Sequence, residues 1–191
     1  MSTPFSRLAT AHALSTAGDA LVAISLAGSL FFSVDPSGAR WRIALYLLFT
    51  MAPFAVVGPL IGPAMDRARG GHRLMMVAAT AGRALVALAL VPVIAGEGLL
   101  LFPLAFVMLV LAKTYQVAKA AIVPTIVQSD EALVEANSKL QLLAGIAGAV
   151  AGAPGGLLLL LAGPGAVEVG ALVVFALAAL ASTRVPSTTV A

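Results

Sequence analysis

Three ionisable residues stand deep inside long apolar stretches: Asp19, Arg83 and Lys113. One carboxylate and two cations offer proton transfer, recognition of a charged solute, or a mutual ion pair that locks neighbouring elements together. Residue types alone leave those alternatives open. Each of the three lies near the middle, or just past the middle, of an apolar run long enough to cross a bilayer. A charge at that depth costs about 2.5–3.5 kcal/mol even on insertion-derived scales, so each must face a partner or a water-filled cavity. All three fall near one level, which predicts a polar centre between the elements that carry them. Lys119 sits closer to the end of its run, where its long stem can carry the ammonium to the interface. His12 stands in the first turns of its run and reads as an interfacial hydrogen-bonder that is also able to titrate.

Other chemistries find no residues. The chain has no cysteine, which closes disulfides, thiolate metal sites and cofactor chemistry through sulfur. No metal-spaced histidine pair, G-x-S-x-G elbow or P-loop occurs, so we expect neither an enzyme nor a bound cofactor. The formal net charge of +3 comes from 11 basic and 8 acidic residues that are dispersed along the chain, and only 6% of residues are aromatic. Nucleic-acid binding wants a basic stripe interleaved with stacking rings, and that partner class is set aside.

The elements that must hold the trio are set by composition. Of 191 residues, 61% are apolar and 10% charged, against roughly 25% charged in a soluble domain. With a mean hydropathy of +1.06, lipid must be the solvent for most of the surface. A hydrocarbon layer about 30 Å thick needs roughly 20 helical residues. Six stretches of that kind are predicted, at about 8–34, 41–61, 74–94, 99–122, 140–162 and 167–185, divided by Gly/Pro turns, charged loops and the polar segment Gln128 to Lys139. Continuous apolar runs such as Leu157 to Leu161 exclude the alternation of a membrane β-barrel.

Placing the N-terminus inside puts Arg7, Arg67, Arg69, Arg73, Lys139 and Arg184 in the cytoplasm and leaves Arg40 and Arg42 outside. The bias of basic residues toward cytoplasmic loops therefore predicts that both termini lie inside, in the cell's inner (plasma) membrane. The loops are short, so residues 1–191 read as one six-helix transmembrane bundle. The first run, with His12 and Asp19 in it and no cleavage site, reads as a retained span rather than a signal peptide.

One loop carries a motif. Between the second and third spans the chain reads Gly58-Pro59-Leu60-Ile61-Gly62-Pro63-Ala64-Met65-Asp66-Arg67-Ala68-Arg69-Gly70-Gly71-His72-Arg73. Glycine lets the backbone turn closely beneath a neighbour, Asp66 can accept from a helix N-terminus, and the arginines can pair with it or with anionic headgroups. This resembles the G-x-x-x-D-R-x-G-R-R loop of the major facilitator superfamily. Gly62, Asp66 and Arg67 match position for position, while the glycine-basic part, Gly71-His72-Arg73, arrives one or two residues late. The stretch Lys113 to Pro124, followed by Leu133-Val134-Glu135-Ala136-Asn137-Ser138, is similar to the fourth span and following loop of actinobacterial-type members.

The fifth span adds Gly145, Gly148, Gly152, Pro154, Gly155 and Gly156. Small residues at that density permit close helix contact, and a proline among them bends or loosens a helix. The cluster is similar to the glycine-proline motif in the fifth helix of antiporting exporters of the superfamily, although the proline comes two residues after Gly152 instead of directly after it.

The resemblance implies the N-terminal six-helix half of a twelve-helix secondary transporter, built of two three-helix repeats and working by alternating access. It implies proton-linked efflux of a small-molecule substrate, with Asp19, Arg83 and Lys113 at the cavity and Gly62, Asp66, Arg67, Gly71 and Arg73 as the cytoplasmic gate. One bundle cannot give alternating access alone, so a second six-helix half is expected, from the same gene, a split gene or a second copy. A six-helix scaffold or accessory subunit that does not transport is the alternative the residues leave open.

Overall fold

The computed structural model describes residues 3–32, 71–94, 100–127 and 129–186. They form α1 (Pro4–Phe32), α2 (Gly71–Leu90), α3 (Leu101–Ile126) and α4 (Asp130–Ser182), with no strand among the described residues. Three of these, α2, α3 and α4, are long and apolar enough to cross a membrane.

Helix α4 is two helices in one run. It breaks at Gly163, whose φ of 80° and ψ of 177° belong to a region essentially reserved for glycine, and Pro164 follows without an N–H to give. On either side of the break, Gly155 and Gly170 both lie against the Leu21 side chain. These glycines sit eight residues before and seven after Gly163, so each is about 10–12 Å of helix away from it. The two arms, 130–162 and 164–182, therefore fold back on each other as an antiparallel hairpin around α1.

Two apolar clusters show how the helices run. At one end, Leu8 and Ala11 of α1 meet Met76 and Ala79 of α2, Ile122 and Val123 near the end of α3, Leu140 of the first arm, and Val185 just beyond the second. At the other end, Val22, Leu90, Ile94, Leu101 and Val167 come together. Helices α1, α2 and the first arm thus run the same way, and α3 and the second arm run back. Ser29 Oγ donates to the Ile94 carbonyl at 2.5 Å and ties the far ends of α1 and α2.

Helix α1 is gripped by both arms of α4. Its inward stripe, Leu8, Ala11, Ser15, Gly18, Val22, Ser25 and Ser29, repeats every three or four residues and is mostly small or polar. Small residues let helix backbones approach where lipid supplies no hydrophobic drive. Gly18 shows the consequence, since a Cβ there would run into the Phe175 ring. The outside is the reverse. Leu85 and Leu88 of α2, and Leu142, Ile146, Leu160 and Leu161 of the first arm, are exposed, whereas His12, Ser15, Ser25, Arg83 and Glu168 are buried. Water-soluble proteins keep long aliphatics inside and leave such polar side chains on the surface.

Several expected boundaries move. Pro124, expected just beyond the fourth span, lies inside α3. The polar segment expected between the fourth and fifth spans is largely helical. Ser129 caps it by accepting from the Ala132 N–H at 3.2 Å, and Asp130 and Glu131 sit in the first turn, where the helix dipole favours acids. On that exposed extension Lys139 pairs with Glu135 at 2.6 Å and holds its carboxyl below the usual range. Pro154 lies inside the first arm, whose backbone stays helical up to the break at Gly163.

Candidate functional site: a buried arginine among four helices

Arg83 is the largest fully buried side chain among the described residues. It stands halfway along α2 and points into the bundle between α1, α3 and the second arm. Its Nη2 pairs with Asp19 Oδ1, and its Nη1 donates to Ser15 Oγ at 2.8 Å. Its guanidinium lies over the Phe175 ring, 4.0 Å from the centroid, a separation at which a ring face attracts a cation. Four residues separate Ser15 from Asp19, so one face of α1 presents both. The absent side chain at Gly18 makes room for Phe175 to reach the same place.

The pair is lopsided in its exposure to solvent. Arg83 is 0% exposed, while the Asp19 side chain keeps 38% of its surface open. A wholly buried cation is thus neutralised by a carboxylate that is only half-buried.

Tyr115 of α3 carries the cluster toward the end of the bundle where α1 begins. Its buried hydroxyl lies near Ser15 and Arg83 without an ordinary hydrogen bond, and its ring stacks on His12 at 6.1 Å between centroids with 16° between planes. Lys119 Nζ lies 3.4 Å from His12 Nε2. His12 Nδ1 is buried with no partner. His12, buried, and Lys119, half-buried, thus continue the Arg83 cluster toward the end of the bundle where α1 begins.

The structure brings Asp19 and Arg83 together as expected of a shared polar centre. Lys113, the third expected member, is half-buried on α3, two residues from Tyr115. Of the loop motif, Gly62, Asp66 and Arg67 lie outside the described residues. Gly71, at the start of α2, is buried with φ of 45°, a left-handed conformation that suits glycine, and Arg73 is half-buried in the first turn. Of the glycine-proline cluster, Gly155 packs against Leu21 and Ile24, and Gly152 touches Ile24 at ordinary distance. Gly148 and Gly156 face open space, and Pro154 is exposed.

One buried acid escapes the sequence reading. Glu168 stands at the start of the second arm, 0% exposed, with Oε2 at 2.5 Å from Ser25 Oγ of α1. Its signal was a single acidic residue in the run 163–183, placed by the expected span at a membrane boundary where an acid needs no explanation. Among the described residues, no group of three or more His, Cys, Asp or Glu could hold a metal ion.

No protein-family model matches the chain, and no solved structure matches it. An uncharacterized protein of Mycobacterium leprae (strain TN) is 36% identical over 139 residues, which are 70% of this chain and 24% of that protein. Uncharacterized proteins from two strains of Mycobacterium tuberculosis are each 37% identical over 141 residues, 70% of this chain and 25% of theirs. The chain spans about a quarter of the length of the curated relatives it matches.

Proposed function

We propose that the chain is a six-helix half of a secondary active transporter, the N-terminal bundle of a major facilitator fold, and that it takes part in proton-linked efflux of small molecules. The observation that carries the reading is Arg83, fully buried at mid-helix and neutralised by a carboxylate that is still open to solvent. Intramembrane ionisable residues mark solute or proton pathways, and an ion pair with one open member is able to exchange its partner for a proton or an anionic group. The direction of the described helices supports six crossings. Phe32 ends α1 at one end of the bundle and Gly71 begins α2 at the other, so α1 and α2 run the same way. The relatives run well beyond the matched stretch, which agrees with a second bundle elsewhere in a longer polypeptide.

In this reading the membrane is a plasma membrane, both termini are cytoplasmic, and Asp66, Arg67 and Arg73 latch the cytoplasmic side. The test is reconstitution of the full-length protein in proteoliposomes with an imposed pH gradient, following ethidium as a fluorescent amphipathic cation together with internal pH. Gradient-dependent dye movement with counterflow of protons is expected, and Asp19→Asn should abolish it per folded molecule. Neither dye nor proton movement, with a panel of amphipathic cations and anions in place of ethidium, would leave the bundle as a scaffold. The chain is a cysteine-free background for topology. Single cysteines at Lys139 and Glu97 should react with an impermeant reagent from the inside and the outside respectively, and reaction of both from one side would remove the orientation.

A further inference from the structure

A buried acid about two helical turns from the Arg83 pair is arranged differently. Among the described residues, Glu168 has no cation beside it. On the helices packed against it, Arg7 of α1 and His72 and Arg73 of α2 sit at the opposite end of the bundle beside Leu8 and Met76, while His12 and Asp19 on α1 and Arg83 on α2 are engaged around Tyr115 and Phe175. What faces the carboxyl is Ser25 Oγ, at 2.5 Å from Oε2. That hydroxyl also lies 3.0 Å from the Val22 carbonyl of its own helix. Glu168 Oε1 is buried and has no partner.

Hydrogens decide what this arrangement holds. A serine hydroxyl has one hydrogen to donate, an ionised carboxylate only accepts, and a backbone carbonyl only accepts. With Glu168 ionised, two acceptors compete for one hydrogen and a full charge stands in a closed apolar site with one oxygen bare. With a proton on Oε2, the carboxyl donates to Ser25 Oγ, Ser25 donates to the Val22 carbonyl, and every hydrogen has a place. The short separation fits donation in either direction, so the hydrogen count is what discriminates. An unpaired buried charge is far dearer than an unpaired buried carbonyl oxygen.

We infer that Glu168 and Ser25 form an occluded proton-binding site between α1 and the second arm of α4, distinct from the Asp19–Arg83 pair. Losing the proton strands a carboxylate, and the way to hydrate it is to part the second arm from α1. Phe175 lies seven residues further along that arm, two turns away on the same face, with its ring over Arg83 and against Gly18. Parting the arm at Glu168 therefore lifts the ring from Arg83, and the protonation state of one site is read at the other as a packing change. This deepens the proton-linked reading above and rests on it for the use to which the proton is put.

The experiment is infrared difference spectroscopy on the full-length protein in lipid bilayers, stepped through pH, comparing wild type with Glu168→Gln. A protonated-carboxyl stretch that disappears reversibly as pH rises, and is missing in E168Q, is the expected result. Ser25→Ala should shift the frequency of that band, because it removes the hydrogen-bond partner, and this assigns the band even if E168Q does not fold. A Glu168 band that stays constant at every pH where the protein is folded would make the acid a fixed structural donor and overturn the proposal. So would the absence of any band sensitive to S25A or E168Q, which would mean a permanent carboxylate. Loss of the band on adding sodium chloride at constant pH would reassign the site to a metal cation and equally overturn it. The spectra do not depend on transport. A titrating band without gradient-driven flux would remove the transporter reading and keep the proton site, and flux without the band would do the reverse.

Discussion

The burial asymmetry of the Asp19–Arg83 pair predicts that neutralising one side stabilises a protein already damaged on the other. Asp19→Asn leaves Arg83 charged and 0% exposed, held only by Ser15 and the face of Phe175. Breaking a buried pair by removing one partner costs about 3–5 kcal/mol. The Asp19 side chain is 38% exposed, so solvent already screens its part of the attraction, and we reduce the expected loss to about 2–3 kcal/mol. Arg83→Gln leaves Asp19 with a route to water and forfeits the Ser15 and Phe175 contacts, for about 1–3 kcal/mol. The double variant holds no stranded charge. It should be more stable than Asp19→Asn alone, which means that the coupling between the two sites exceeds the whole Arg83→Gln loss. The assay is the unfolding free energy of the full-length protein in mixed detergent micelles, measured for the four members of the cycle. If the two losses add to within about 0.5 kcal/mol, the charges do not interact, and the site as described does not exist.

Two further outcomes follow from the backbone. Gly18→Ala should destabilise by about 1–3 kcal/mol, since its methyl would enter the Phe175 ring, whereas Gly148→Ala, with nothing within 4 Å of its added carbon, should change stability by less than about 0.5 kcal/mol; equal effects would contradict the packing of α1 against the second arm. Gly163→Ala should cost about 1–3 kcal/mol through its backbone conformation, although its added carbon also meets open space, and a loss no larger than that of Gly156→Ala in the same unfolding assay would refute a hairpin at that residue.

The glycine-proline cluster shows where composition stops being informative. Gly145, Gly148, Gly152, Gly155 and Gly156 look alike along the chain, and each could permit close approach. Only a neighbour makes one of them necessary, and Leu21 supplies it at Gly155. Pro154 and Pro164 are likewise both helix-breaking by type. The chain bends at the second because the glycine just before it, Gly163, can take a conformation other residues avoid. Lys119 and His12 were each legible as boundary residues, and their contact with one another, beneath Tyr115, depends on how α3 crosses α1.

By itself the sequence determined that the described chain is helical and inside-out in polarity, and that Asp19 and Arg83 needed company. Both follow from local physics, because apolar run length is set by the bilayer and an isolated charge in lipid is too costly to leave alone. Only the tertiary structure decided that the two find each other with Ser15 and Phe175, and that Glu168 is buried against Ser25. Those contacts join residues 64 and 143 positions apart along the chain, and no periodicity within a single helix records which face of another helix will meet it.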